Sequence, residues 1–132
     1  MWLSLRIYDT LQLSEMSKNN HPIDIILHKG SRTLEVCFDT GECFNLPWQY
    51  LRVFSPSKEV RGRHGKGRIL VTGKEDVSIT EMNPVGNYAI KIFFDDGHNS
   101  GLYDWDFLYE LGTHQAAYWK TYQDQVASVS DD

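Results

Sequence analysis

Val85-Gly-Asn-Tyr-Ala-Ile-Lys-Ile-Phe-Phe-Asp-Asp-Gly-His-Asn-Ser-Gly-Leu-Tyr-Asp-Trp-Asp-Phe-Leu108 is the stretch whose reading decides the fold. A turn at Pro84 to Asn87 opens it, and the apolar residues Tyr88, Ile90, Ile92 and Phe94 then recur at every second position. That period of two predicts a strand with one buried face, because successive strand side chains point to opposite sides. Asp95-Asp96-Gly97 turns the chain, and His98 and Tyr103 flank a second tight point at Ser100-Gly101. Asp104 is placed to cap a helix carrying Trp105, Leu108 and Leu111.

Toward the N-terminus the same logic gives a meander. Ile23, Ile25 and Leu27 alternate with Asp24, Ile26 and His28, and Pro22 opens this first strand. Lys29 to Arg32 turns, and Leu34, Val36 and Phe38 form one face of the next strand. Asp39-Thr40-Gly41 is a hairpin signal, with Gly41 suited to a left-handed position. The register that puts Phe44 and Leu46 with Leu34, Val36 and Phe38 buries the apolar set, and it places Cys37 opposite Cys43 on the other face. Those two cysteines could bridge or share a metal; in a cytosolic protein such a pair is expected to be reduced and structural. Pro47 opens a short helix from Trp48 to Phe54, which Ser55-Pro56-Ser57 ends. The glycine-rich run from Val60 to Gly73 predicts a mobile loop, and Val77 and Ile79 begin a strand that ends near Pro84.

Past the central stretch, Gly112 is expected to stop its helix. Thr113 is expected to cap a last helix with Trp119, Tyr122 and Val126 at helical spacing, and Ser128 to Asp132 should fray. The result is an α+β fold: one mainly antiparallel sheet of about five or six strands, a short inserted helix and C-terminal helices. One domain covers residues 22–127, behind an N-terminal extension at 1–21 and before a polar tail at 128–132. The extension reads as a loose terminus or a short surface strand or helix. Met16 is an alternative to Met1 as the translation start.

Composition bounds the function. The opening Met1 to Tyr8 lacks the basic, apolar and small-residue regions of a signal peptide, which predicts a cytoplasmic protein, and no apolar run is long enough to span a membrane. Net charge is −5, yet Lys58, Arg61, Arg63, Lys66 and Arg68 gather five of the 13 basic residues in one loop. An acidic chain with one basic loop is ill suited to nucleic acid and well suited to docking a partner protein, or a second copy of itself, by charge complementarity.

Three constellations carry potential chemistry. Asp95-Asp96-Gly97-His98 could hold a divalent metal or do acid–base work, but Asp-Gly is first of all turn chemistry. Arg61-Gly-Arg-His64-Gly-Lys66-Gly-Arg68 looks like a phosphate cradle but lacks the Ser or Thr after Gly-Lys that a P-loop needs. Nucleophile motifs, paired Cys-x-x-Cys knuckles and His-Glu-x-x-His are all missing from the sequence, so no catalytic, cofactor or metal residue is assigned. Trp48, Trp105 and Trp119 read as core rather than as a ligand cage. The candidate interaction or ligand residues are Arg61, Arg63, His64 and Lys66 in the loop, with Asp96, His98, Tyr103 and Trp105 on a second face.

Leu46-Pro-Trp-Gln-Tyr-Leu-Arg-Val-Phe-Ser-Pro-Ser-Lys-Glu-Val-Arg-Gly62, Val85-Gly-Asn-Tyr-Ala89 and Phe94-Asp-Asp-Gly-His-Asn-Ser-Gly-Leu-Tyr-Asp-Trp-Asp-Phe-Leu108 together resemble a bacterial family of domains of unknown function. That family is similar to the N-terminal domain of gamma-butyrobetaine dioxygenase and trimethyllysine dioxygenase. The likeness runs from roughly Pro22 to Tyr122. It implies a small α+β domain without the jelly-roll that carries iron and 2-oxoglutarate. In the dioxygenases this small domain holds zinc through closely spaced cysteines after a Leu-Arg pair, plus a later histidine. Here Leu51-Arg52 is followed by Ser55 and Ser57, with Val60 at the third cysteine position, and only His98 matches. Hydroxyls are poor zinc ligands, so the resemblance implies a zinc site that has been lost. A similar domain attached to P-loop ATPases with iron–sulfur clusters suggests an accessory role in cluster maturation. The loop residues Lys58 and Arg63 depart from the family pattern.

The expectation is a non-catalytic docking module without a cofactor. The alternative is a zinc- or iron-handling accessory protein that uses His98 with Asp96, or the Cys37/Cys43 pair.

Overall fold

A computed structural model describes residues 2–6, 21–57 and 70–130. Among these, β1 (Trp2–Arg6), β2 (Pro22–His28), β3 (Thr33–Phe38) and β4 (Cys43–Pro47) form a four-stranded antiparallel sheet in chain order. α1 (Trp48–Val53) follows without a gap. A second antiparallel sheet contains β5 (Ile79–Val85), β6 (Ala89–Phe94) and β7 (Leu102–Asp104). The chain then runs through α2 (Trp105–Thr113) and α3 (Gln115–Ser130). No helix among the described residues is long and apolar enough to cross a membrane.

The fold is thus α+β and antiparallel, but its strands split into sheets of four and three instead of one sheet of five or six. The split arises at β4, whose last residue, Pro47, is also the residue that precedes α1. With the chain diverted into a helix, β5 starts at Ile79 and pairs forward with β6. Both sheets still feed one core. Leu27, Val36 and Leu46 of the first sheet, Leu51 of α1, Ile90 and Ile92 of the second, and Leu108 and Leu111 of α2 belong to one cluster, each at most 1% exposed.

Register obeys the apolar pattern. Leu34 faces Leu46, Val36 faces Phe44, and Gly41 turns the hairpin with φ +95°. Ile23 departs from it. A bulge between Pro22 and Asp24 inserts one residue, so Ile23 stands 49% exposed while Ile25 and Leu27 are buried. Tyr88 departs as well, because β6 begins only at Ala89 and leaves Tyr88 in the preceding turn, 53% exposed.

Arg32 ties the first sheet to α1 and to the entry of β5. It has φ +57°, its carbonyl accepts the N–H of Trp48, and its guanidinium lies 4.9 Å from the Trp48 ring centre. The same guanidinium donates to Ser78 Oγ at 3.1 Å and to the Val77 carbonyl. α2 begins as expected, with the Asp104 carboxylate accepting the Phe107 N–H at 2.8 Å. Gly112, however, does not stop this helix, which continues through Thr113, and the Thr113 hydroxyl bonds back to the Tyr109 carbonyl rather than capping α3. Gly112 serves packing instead: an added Cβ would lie 2.4–2.7 Å from three carbons of the Phe44 ring. α3 extends to Ser130, through residues expected to fray. It docks by an aromatic stripe, with Tyr118 stacked on Phe54, Trp119 against Tyr50, and the Tyr122 hydroxyl donating to the Val71 carbonyl at 2.6 Å.

Gly112→Ala sets a helix-propensity gain of about 1 kcal/mol against an overpacking cost of about 1–3 kcal/mol. The Phe44 ring is boxed in by Phe38 and Tyr109, so it has little room to retreat and the cost should dominate. Urea unfolding should show a net loss of about 1–2 kcal/mol; an equal or higher midpoint would mean that the ring moves freely.

Candidate functional site

The end of α1 and the β6–β7 connection meet in a polar cluster. Ser55-Pro56-Ser57 cannot extend the helix, because the residue before proline is pushed out of the helical region. Ser55 Oγ instead accepts the Ser57 backbone N–H at 3.2 Å. Across from it, Asp95-Asp96-Gly97 forms the turn that the Asp-Gly pair predicts. Gly97 has φ +90°, its N–H reaches the Phe94 carbonyl at 3.1 Å, and Asp96 Oδ1 accepts the His98 N–H at 3.0 Å.

These two segments bring Ser55 Oγ to 2.8 Å from His98 Nε2, and Ser57 Oγ to 2.6 Å from Ser100 Oγ. Ser55, Ser57 and His98 are 0%, 4% and 7% exposed. Gly101 makes this approach achievable: a Cβ there would fall 2.6 Å from Ser55 Oγ and 3.2 Å from Pro56 Cδ. The Tyr103 hydroxyl donates to the Leu51 carbonyl at 2.6 Å, binding β7 to α1 beneath the cluster.

A charged group borders the network. Asp96 Oδ2 is 2.9 Å from Arg52 Nε and 2.7 Å from Lys74 Nζ. Partial burial pushes the Asp96 carboxyl up. Its hydrogen bonds from Lys74, the His98 backbone and Arg52, with the Arg52 charge, outweigh this and hold it well below the usual carboxylate range.

The expected site residues separate accordingly. Asp96 and His98 do come together, but through the histidine backbone, and the carboxylate is committed to Arg52 and Lys74. Tyr103 is fully buried and Trp105 is 4% exposed, with its indole N–H on the Asn87 carbonyl at 2.7 Å. His98, Tyr103 and Trp105 therefore form a packing face where a docking face was expected, because each has an apolar ring and a polar tip satisfied inside the fold. The loop residues Arg61, Arg63, His64 and Lys66, and with them the expected mobile loop up to residue 69, lie outside the described residues.

Sequence reasoning missed the roles of Arg52, Lys74 and Ser100. No local pattern marks them, since their partners lie 44, 22 and 43 residues away. Ser55 Oγ and His98 Nε2 have the spacing of a nucleophile and base, but Asp96 takes the histidine's backbone N–H and not its ring. A groove of about 490 Å³ lies elsewhere, between Pro47, Tyr50, Ala116 and Trp119, and among the described residues Lys120 is the one charged side chain lining it.

Comparison with known proteins agrees with this architecture. The model of the family "Gamma-butyrobetaine hydroxylase-like, N-terminal" matches residues 25–109. A protein solved in solution by NMR is 41% identical over 93% of this chain and 89% of its own, with a TM-score of 0.75. A second NMR structure is 44% identical over 85% of this chain and 88% of its own, with a TM-score of 0.74. A crystallised protein of unknown function from Acidithiobacillus ferrooxidans, of the DUF971 family, is 37% identical over 70% of this chain and 92% of its own, with a TM-score of 0.60. No curated protein matches the chain.

Asp96→Asn keeps an acceptor for the His98 N–H but removes the charge facing Arg52 and Lys74. It should cost on the order of 1 kcal/mol at pH 7. Because the folded carboxyl sits below its unfolded value, this stabilisation is present above about pH 4 and fades as pH falls through the folded value. Urea unfolding of both forms at pH 7 and pH 3 should show the gap narrowed but not closed at pH 3, which still lies above the folded value; a gap independent of pH would discount the ion pairs. Gly101→Ala should be worse, losing about 1–3 kcal/mol by forcing Ser55 off His98, readable as a lowered thermal midpoint.

Proposed function

This chain belongs to the gamma-butyrobetaine hydroxylase-like, N-terminal family, and we propose that it acts there as a non-catalytic, cytoplasmic accessory module that docks a partner protein. The observation that carries this reading is the fate of its reactive groups. Ser55 and His98 are buried against each other, and Asp96 is neutralised by two cations, so among the described residues no nucleophile, base and orienting acid converge on an open recess.

The zinc that the family resemblance implies does not suit these residues. Ser55 and Ser57 offer neutral hydroxyls where thiolates would be needed, and both are already spent in short hydrogen bonds with His98 and Ser100. The network takes over the linking role that a metal would have, joining α1 to the β6–β7 connection. Meanwhile exposed apolar side chains lie on the second sheet: Tyr88 leads into β6, and Leu102 of the edge strand β7, 43% exposed, lies opposite Lys91. An exposed aliphatic side chain opposite a lysine, with an exposed aromatic in the turn before β6, suits a partner surface better than solvent. The basic residues Arg61, Arg63 and Lys66 would add charge steering from the neighbouring sequence.

Affinity capture of the tagged chain from its own cell extract tests this. One partner should be recovered reproducibly at low salt, lost at high salt, and lost by a Tyr88→Ser/Leu102→Ser variant that keeps its melting temperature. Recovery of the chain alone, or capture unaffected by that variant, would overturn the docking reading. The metal-free network is tested separately. With the Cys37–Cys43 bridge intact, neither a chelator nor added zinc should shift the melting temperature, and a drop with chelator would restore a metal to this site.

A further inference from the structure

The outer face of the first sheet carries a second constellation, unrelated to the Ser55–His98 network. In β3 the residues Leu34, Val36 and Phe38 point into the core, so Thr33, Glu35 and Cys37 point outward, half-buried. The β3–β4 register sets Cys37 directly opposite Cys43, with Cα atoms 4.0 Å apart and the sulfurs joined in a disulfide. Glu35 Oε2 lies 3.4 Å from Cys37 Sγ, and Glu35 Oε1 is 2.8 Å from His28 Nε2. One ligand atom from each of Glu35, Cys37 and Cys43 lies within 4.8 Å of the others. Asp24 stands across from Cys37 on β2, and Cys43 is exposed, which leaves the cluster open to solvent.

The carboxylate is what makes this more than a cystine. A disulfide sulfur has no proton to give, so Glu35 gains no hydrogen bond from Cys37 in the bridged form. In the reduced form a nearby carboxylate would oppose formation of both thiolates, unless a cation sat among the three groups. Two soft sulfur donors and one carboxylate oxygen are a donor set for zinc or a similar thiophilic divalent ion, with a fourth position left for water. His28, bonded to the far oxygen of Glu35, would orient that carboxylate from behind.

We propose that Glu35, Cys37 and Cys43 form a redox-gated site for a thiophilic divalent cation: closed as the disulfide, open as the dithiol. Opening is thiol–disulfide exchange with a dithiol reductant. The Cys37–Cys43 bond breaks, two electrons and two protons pass to the chain, and the reductant leaves as its own disulfide. Binding of the cation then displaces the two thiol protons and forms two metal–sulfur bonds. This site stands independently of the docking reading, because it uses neither the second sheet nor the buried serines.

The test uses the full chain, reduced with a phosphine under anaerobic conditions or left oxidised, and titrated with Zn²⁺ against a competing chromogenic chelator. The reduced chain should bind one Zn²⁺ with release of two protons, and the oxidised chain none. Co²⁺ in place of Zn²⁺ should give an intense thiolate-to-metal charge-transfer band. Cys43→Ser, at an exposed position, should weaken Zn²⁺ binding at least about 100-fold and abolish that band, and Glu35→Gln should weaken binding about 10-fold. Equal binding by reduced and oxidised chains, a Co²⁺ complex without the thiolate band, or a Glu35→Gln variant with unchanged affinity would each overturn the proposal. The Glu35→Gln comparison stands even if the cysteine variant fails to fold.

Discussion

The architecture depends on the contact between the end of α1 and the 98–101 segment. Two sheets that share no strand pairing among the described residues must share a core, and sheets of three or four strands cannot bury an apolar face alone. The junction is where the chain holds them in register. Ser55 meets His98, Arg52 meets Asp96, and Tyr103 reaches the Leu51 carbonyl. Gly101 removes the one side chain that would keep these segments apart. Each of these links crosses more than 40 residues of sequence, so the junction closes long loops and fixes the relative placement of both halves.

The junction also explains which polar residues the fold can bury. A buried hydroxyl or imidazole costs free energy unless its hydrogen-bonding groups are satisfied. Ser55 and Ser57 satisfy theirs with partners supplied by the opposite segment. Two aromatic tips obey the same rule: Tyr50 donates to the Leu111 carbonyl at 2.7 Å, and Trp105 to Asn87, whereas the buried Trp48 indole N–H has no partner among the described residues. Polar groups that suggest chemistry in the sequence are thus recruited to join elements.

What was legible in the sequence was local. Period-two alternation located β3 and β6, the Asp-Gly pair marked the turn before His98, and Asp104 marked the start of α2, since each signal is a relation between residues a few positions apart. That Cys37 faces Cys43 was equally readable, because a hairpin's register follows from its apolar face, but the pair was expected to be reduced and is bridged instead. Departures came where distant packing overrode a local signal. Ile23 is turned outward by a bulge that alternation cannot reveal. Gly112 looks like a helix stop but is small because the Phe44 ring occupies its place. The division into two sheets depends on where α1 redirects the chain, which no strand pattern encodes. His98, Tyr103 and Trp105 were expected to form a docking face and are buried instead: an amphipathic ring suits an interface or a core equally well, and only the packing of distant elements decides between them.

The two polar clusters illustrate opposite uses of the same residue types. At the junction, histidine and hydroxyls are enclosed, and Ser55, Ser57, His98 and Ser100 pair with one another. The outcome is rigidity, and the Asp96 carboxyl stays ionised because Arg52 and Lys74 complete its shell. On the outer face of the first sheet, a carboxylate, a histidine and two sulfurs share an open surface, and among the described residues no basic side chain stands between the acid and the sulfurs. The first arrangement is electrostatically closed. The second has no such fixed counter-charge: its sulfurs are neutral as the disulfide or as thiols, and would become thiolates beside Glu35 only with a cation to join them. Under the proposed redox gating, the domain would hold its shape at the junction and respond at one place on its surface.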